Sequence, residues 1–509
     1  MAEYVIAIDQ GTTSSRALAV RKGGTIAAIA QREHQQHHPQ PGWVEHDAAE
    51  IWQNVLSCLQ EVAAELSLQP GDVAAIGITN QRETAVLWER NTGRPAARAI
   101  VWQDVRTQGI VDRLAKDGGT DRFRELTGLP LSTYFSATKL TWLFEHDQDL
   151  AARANRGELA FGTPDSWVLW NLTGGPNGGV HATDVSNASR TLLAGLRSLA
   201  WEAELLTAFG VPSEILPEIR SSAEVYGHVS ELPGLESLHG VPVAGILGDQ
   251  QAALFGHGGI EIGDAKHTYG TGGFLLVNTG AEIKQSAHGL IATVAGKIGN
   301  APAQYAIEGS VAIAGALIQW LRDGLGLIAS SSEVEPLARS VADSGGAVIV
   351  PAFTGLLAPH WRPDARGVIV GLTSFVTKAH LARAALEATA LQTADVIRAA
   401  EADLGRPIDS LLVDGGMSAN ALLMQIQADL IQRPVVRPAD LEVTALGASY
   451  AAGLAVGFWS SMAEIQALRP EPTTWQPDMA DADRARLERQ WTKALERAFD
   501  WEDVALTER

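Results

Sequence analysis

Two distant passages of this 509-residue chain share one pattern, and that repetition limits the folds open to it. Val5 to Asp9 is a short apolar run that ends in a carboxylate and passes through the polar turn Gly11 to Ser15. It then returns as the apolar run Leu18 to Val20, and Gly23 and Gly24 turn it into Thr25 to Ala30. Far downstream, Lys266 to Asn278 (KHTYGTGGFLLVN) repeats apolar run, Gly/Thr turn and apolar run. Such spacing predicts antiparallel meanders, and its recurrence predicts a duplicated unit. We expect the second region to begin near residue 243, where Val243 to Leu247 forms a strand ending in Gly248, Asp249 and Gln250. A third Gly turn follows the strand in LLVDGGMSAN, ahead of the helical ALLMQIQADLIQ. Ala74 to Thr79 and Ala85 to Trp88 read as further strands. Asp47 with Glu50 reads as a capping box ahead of a helix that carries Ile51, Trp52, Val55, Leu59, Val62 and Leu66 on one face. Strands alternating with helices place the chain in the α/β class. The Gly-rich stretch Phe255 to Gly263 is the expected domain boundary, dividing residues 1–255 from 256–509. The charged tail from Asp478 to Arg509 reads as a surface helix.

Composition narrows the function. With 39 Lys and Arg against 59 Asp and Glu, the net charge is −20. An excess of acid this large disfavours nucleic acid and anionic membranes as partners. At 46% hydrophobic and 19% charged residues, the chain is expected to build large cores. Cys58 is the only cysteine, so neither an intramolecular disulfide nor a Cys-rich metal site is possible. With no basic leader and no long apolar run, the cytoplasm is the simplest location and no integral membrane association is expected.

Chemistry concentrates at the ends of the apolar runs. In DQGTTSSR, Gly11 permits close backbone approach and the hydroxyls of Thr12, Thr13 and Ser14 suit phosphate oxygens. Arg16 adds a positive charge, and Asp9 is placed to hold Mg²⁺ through water. The same residues also make an ordinary polar hairpin turn. No Walker loop is present. TYGTGG, with Thr271, suits the γ-phosphate side of a nucleotide, and Gly415, Gly416 and Asn420 suit its adenine or ribose. In NQRET, Arg82 donates and Glu83 accepts, as a small polyol requires, although a simple ion pair reads the same way. Trp102 and Phe274 offer an apolar wall or mere core. Asp249, beside Gln250 at a strand end, is placed to accept a proton from an attacking alcohol, or to cap the helix that follows. His34, His37 and His38 lie among Pro and Gln and are expected on a surface loop rather than in a metal site.

Taken together these residues resemble the FGGY family of carbohydrate kinases, and most closely its glycerol-phosphorylating members. Both signature stretches are present, YFSATKLTWLFEH from Tyr134 to His146 and GVIVGLTSFVTKAHLARAALE from Gly367 to Glu387. DQGTTSSR, NQRET, VWQD, GDQQAALFG, TYGTG, GALIQWLRD and DGG follow in the family's order. The resemblance implies two ribonuclease-H-like domains of the actin, hexokinase and heat-shock ATPase type, with the catalytic cleft between them. It implies that Arg82, Glu83, Tyr134, Asp249 and Gln250 hold glycerol, with Trp102 and Phe274 against its apolar side and Asp249 as general base. It further implies that Thr12, Thr13, Ser14, Arg16, Thr271, Gly315, Gln319, Gly416 and Asn420 contact ATP, with Asp9 and Asp249 near Mg²⁺, and that the chain forms a dimer or tetramer. A kinase for erythritol, xylulose or gluconate is the nearest alternative, and an actin-like or chaperone-like ATPase a more distant one. Members inhibited by fructose 1,6-bisphosphate carry an Arg-containing loop where this chain has Pro233 to Gly240 (PGLESLHG). That segment also lacks a His where some members are phosphorylated, so neither form of regulation is expected.

Overall fold

The computed structural model describes residues 2–502. The first meander forms as its pattern predicts. Strands β1 (Tyr4–Gln10), β2 (Ser14–Arg21) and β3 (Ile26–Glu33) are antiparallel neighbours, and helix α1 (Ala48–Glu65) covers them. Strands β4 (Val73–Asn80) and β6 (Pro242–Gly248) extend the sheet in parallel with β1, and β5 (Ala223–His228) closes the edge beside β6. The order is β5-β6-β4-β1-β2-β3.

In the second lobe β7 (Ala265–Tyr269), β8 (Gly273–Gly280) and β10 (Gln304–Val311) make the antiparallel part, with β9 (Ile291–Gly296) at its edge. After helix α3 (Lys378–Leu404), strands β11 (Leu411–Asp414) and β12 (Val435–Arg437) run parallel to β7. Helix α4 (Ala421–Ile431) lies between those two strands in the chain, and β13 (Thr473–Trp475) ends the sheet. Strand order β3-β2-β1-β4-β6 thus recurs as β10-β8-β7-β11-β12. The duplication is real, but it begins at β7. Val243 to Leu247 belongs to the first sheet, because it pairs in parallel with β4, and sequence pattern alone cannot distinguish a closing strand from an opening one.

Both parallel cores are built from fully buried aliphatic strands, Ile6, Ile8, Ile76, Ile78, Val243 and Ile246 in the first lobe and Leu411, Val413 and Val435 in the second. Each such side chain contributes roughly 1.5–3 kcal/mol on leaving water. The lobes share one element. Helix α5 (Val443–Ala455) leaves the second lobe and packs across the first sheet, where Leu446, Tyr450 and Ala452 meet Val5, Ala75 and Ala244. The approach is close enough to require glycine, since a Cβ on Gly77 of β4 would sit 2.2 Å from the Ala448 carbonyl oxygen. Gly77→Ala should therefore cost about 3 kcal/mol or more, because backbone cannot retreat as a side chain can. A drop of several degrees in the thermal midpoint is the expected result, and an unchanged midpoint would contradict this packing.

Two local expectations are corrected. Asp47 does cap α1, accepting from Ala49 N at 2.9 Å, but Glu50 accepts from Gln35 N instead of completing a capping box. The tail helix α6 (Asp481–Ala498) is only half a surface helix, because Leu487, Trp491 and Leu495 are buried in the second core. The end of that stretch, residues 503–509, lies outside the described residues. No helix among the described residues is long and apolar enough to cross a membrane.

Candidate active site

Loops at the carboxyl ends of β1, β4, β6 and β7 converge between the lobes, as parallel strands with a common direction dictate. They enclose a cavity of about 300 Å³. Among its lining residues are Thr12, Thr13, Arg82, Glu83, Trp102, Tyr134, Asp249, Gln250, Thr271 and Phe274. These residues are scattered over more than half the chain, yet the fold places them around one space.

One wall is aromatic and crosses the cleft. Trp102 meets Tyr134 edge-on at 5.6 Å between ring centroids and Phe274, from the second lobe, at 6.1 Å. Trp102 Nε1 also donates to Thr12 Oγ1 at 2.9 Å, which ties this wall to the first polar turn. An indole that is buried on one side and hydrogen-bonded at its polar tip is held in a single orientation.

A buried charge network adjoins the aromatic wall. Arg82 and Glu83 are not each other's main partners, because their closest approach is only 3.8 Å. Arg82 Nη1 and Nη2 grip the Glu308 carboxylate at 2.6 and 3.0 Å, and Arg82 Nε lies 3.1 Å from Asp249 Oδ1. Glu83 Oε1 accepts instead from Arg190 Nε at 2.7 Å. Burial would raise Glu308, but Arg190 and Arg82 pull its carboxyl down to about 2. Glu83 adopts φ +62°, a conformation that costs a non-glycine residue about 1–2 kcal/mol. Strain of this kind persists where the surroundings fix a side chain for use.

Asp249 is the first residue of helix α2 (Asp249–Gly256), where the helix dipole favours a negative charge. Its Oδ1 takes both the Arg82 contact and a hydrogen bond from Gln250 N at 2.7 Å, leaving Oδ2 for a ligand. Burial raises its pKa despite Arg82 and Lys266, which makes it a stronger base than an ordinary aspartate. Lys266 Nζ donates to Gln250 Oε1 and, at 2.9 Å, to Thr268 Oγ1, so the Gln250 side chain is oriented from the second lobe.

The first polar turn is braced from behind. His34 Nε2 and Gln36 Nε2 reach the Thr12 carbonyl at 2.9 and 2.8 Å, and Gln36 Oε1 meets His46 Nε2 at 2.8 Å. His34 is therefore buried and not on the surface as its neighbours suggest. It buttresses the turn. Burial holds the imidazoles of His46 and His267 neutral, with values pushed down to about 3. In the unfolded chain the same groups take up a proton near pH 6.5, so between about 3 and 6.5 the unfolded chain binds more protons. These two imidazoles therefore lower stability as pH drops through that window, while Asp9 and Asp165, raised to about 7 by burial, act in the opposite direction.

Other expected ligand residues lie outside the cavity lining. Ser14 is buried with its Oγ accepting from Gln31 Nε2 at 3.1 Å, and Arg16 pairs with Glu442 at 2.6 Å. Gly315 and Gly416 gather instead beside the second turn. Gly315 N donates to Gly270 O at 2.9 Å, and a Cβ on Gly315 would lie 3.6 Å from Met417 Sδ. Gly416 is exposed with open space where a side chain would be, and Gln319 is exposed nearby in the chain. Asn420 caps α4 by accepting from Leu423 N at 2.9 Å. Asp9 is raised to about 7 by burial, which outweighs Arg16, with Glu442 and Asp249 adding to the rise. Two carboxyls that disfavour each other's charge suit a hydrated divalent cation. Among the described residues no group of three or more His, Cys, Asp and Glu is placed to hold a metal by itself.

Reading from sequence missed Arg190, Glu308, Lys266 and His34. Only Glu308 leaves a signal, as a lone carboxylate in the apolar strand QYAIEGSV.

Comparison with known proteins agrees with this geometry. The chain is 57% identical over 505 residues to a glycerol kinase of Pseudarthrobacter chlorophenolicus, with 99% of each chain covered. It is 56% identical over 503 residues to a glycerol kinase of Leifsonia xyli, again with 99% of each covered. Its fold superposes on the crystal structure of Plasmodium falciparum glycerol kinase with ADP at a TM-score of 0.90 and 35% identity, covering 97% of this chain and 98% of that one. Residues 4–256 match the N-terminal domain of the FGGY family of carbohydrate kinases and residues 265–456 its C-terminal domain, so the chain belongs to that family.

Proposed function

We propose that this chain transfers the γ-phosphoryl group of ATP to a terminal hydroxyl of glycerol, giving sn-glycerol 3-phosphate. The observation that carries the reading is the cavity itself, whose lining combines an aromatic wall with the remaining oxygens of Glu83 and Asp249 and the Arg82 guanidinium. A short polyol satisfies both sides. Its hydroxyls donate to the carboxylates and accept from the guanidinium, while its C–H edges lie on Trp102 and Phe274. A sugar acid would instead bring a third carboxylate against Glu83 and Asp249.

In this reading Asp249 takes the proton of the attacking hydroxyl through Oδ2, and Arg82, Glu83, Tyr134 and Gln250 fix the polyol in line. Thr12, Thr13 and Thr271, with the backbone N–H groups of their turns, receive the β- and γ-phosphates. Ser14 and Arg16 support the first turn, and Gly315, Gln319, Gly416 and Asn420 border the adenosine. Asp9 and Asp249 are the residues that would hold Mg²⁺ through water, where the ion would neutralise phosphate charge. Residues 1–255 act as the polyol and phosphate-turn unit and 256–509 as the nucleotide unit, with α5 as the element they share. The cytoplasm, which supplies ATP, is the proposed location, and a dimer or tetramer the proposed assembly.

The test is kcat/KM over glycerol, erythritol, xylulose and gluconate with ATP, followed by ADP release. Glycerol should lead by roughly an order of magnitude or more. A higher value for any of the others would overturn the reading.

A further inference from the structure

Two of the strongest contacts to the cavity's charged residues come from side chains that do not line it. Arg190 follows the short helix Val185–Ala188 in the first lobe, and Glu308 lies in the middle of β10 in the second. Both side chains are fully buried. We propose that Arg190 and Glu308 are positioning residues for the polyol, fixing Glu83 and Arg82 so that each presents one free group to the substrate. The proposal rests on the polyol reading of the cavity given above.

The geometry is specific. Arg190 Nε holds Glu83 Oε1 at 2.7 Å, and Arg190 Nη2 reaches Glu308 Oε1 at 3.2 Å. Its guanidinium carbon also lies 5.7 Å from the ring centre of Tyr134 and 5.4 Å from that of Phe135. Arg190 thus supports two lining residues, Glu83 and Tyr134, from behind. Its Nη1 is buried without a partner among the described residues. Glu308 takes an N–H from each terminal nitrogen of Arg82, Gln251 Oε1 takes a further N–H from Nη1 at 3.3 Å, and Nε is ion-paired with Asp249 Oδ1 at 3.1 Å. Of the five N–H groups on Arg82, one on Nη2 is left for a substrate hydroxyl.

Chain topology adds a condition. Glu308 arrives from the second lobe, whereas Arg82, Glu83 and Arg190 belong to the first. The polyol groups are therefore correctly oriented only when the lobes are in register. An isolated carboxylate within an apolar strand is costly to bury, and fixing a neighbour's geometry is a reason to keep it.

The experiment measures kcat, KM for glycerol and KM for ATP in Arg190→Gln, Arg190→Lys, Glu83→Gln and the Arg190→Gln/Glu83→Gln pair. Arg190→Gln should raise KM for glycerol by roughly 10-fold or more while KM for ATP stays within about twofold. The double variant should lose less in glycerol KM than the product of the two single losses, because much of the Arg190 effect runs through Glu83. Arg190→Lys keeps the charge but cannot reach Glu83 and Glu308 together, so it should fall between the native chain and Arg190→Gln. If Arg190→Gln does not fold, the Lys variant carries the test by the same split between the two KM values. An unchanged glycerol KM in a folded variant, equal rises in both KM values, or additive losses in the pair would overturn the proposal. Failure of the native chain itself to phosphorylate glycerol would overturn the polyol reading beneath it instead.

Discussion

Asp249→Asn should reduce kcat with glycerol by roughly 10²–10⁴-fold, the range that a positioned general base supplies. The amide keeps the shape of the side chain and its place at the start of α2, but it cannot take a proton from the attacking hydroxyl. Arg82 Nε would lose a charged acceptor at 3.1 Å, yet Glu308 continues to hold the guanidinium through both terminal nitrogens. Glycerol binding should therefore weaken only modestly. ADP affinity, measured by titration on the same variant, should stay within a few fold of the native chain. An undiminished kcat would remove Asp249 from the chemistry.

Arg82→Ala is expected to do two kinds of damage. Glu308 and Asp249 lose the cation between them, and breaking a buried set of charges by deleting one partner costs about 3–5 kcal/mol of stability. The site also loses a charged donor to the polyol, worth about 1.5–3 kcal/mol, or roughly 10- to 150-fold in kcat/KM for glycerol. The two effects separate by measurement. Thermal unfolding reports the first, and kcat/KM at a temperature where the variant remains folded reports the second. KM for ATP should change little. An unchanged kcat/KM for glycerol would contradict the placement of Arg82 against the substrate.

What could be read from the chain followed the reach of each interaction. Asp9 to Arg16, Thr268 to Gly273 and Leu411 to Asn420 were legible because a strand and its turn are written in consecutive residues. Asp249 and Gln250 were legible for the same reason, as a strand end running into a helix. The partners of Arg82 and Glu83 were not. Nothing in NQRET indicates that Arg82 turns to Glu308 and Glu83 to Arg190, because those choices depend on how two lobes meet. The Pro- and Gln-rich neighbours of His34 point to the surface, whereas its burial is created by the turn packed against it. Helix α5 gives no sign in the sequence of crossing to the first sheet, although Gly77 and Gly245 are the residues that allow it. A closing strand and an opening one share the same apolar pattern, so only the pairing places Val243 to Leu247 in the first sheet.

The overall charge of −20 is compatible with a polyanionic substrate because the site is locally different. Arg82 lines it, Arg190 and Lys266 are buried behind it, and the turns offer N–H groups and hydroxyls. These groups are buried, so added salt should screen them only weakly.

The most direct test of the central claim is the rate of ADP release from ATP with and without glycerol. An alcohol kinase of this design needs the hydroxyl in place beside Asp249, so release should be slow without glycerol and rise by orders of magnitude when it is added, with one sn-glycerol 3-phosphate formed per ADP. Equal rates with and without glycerol would mean that water is the acceptor, and the account of this cavity as a polyol site would be wrong.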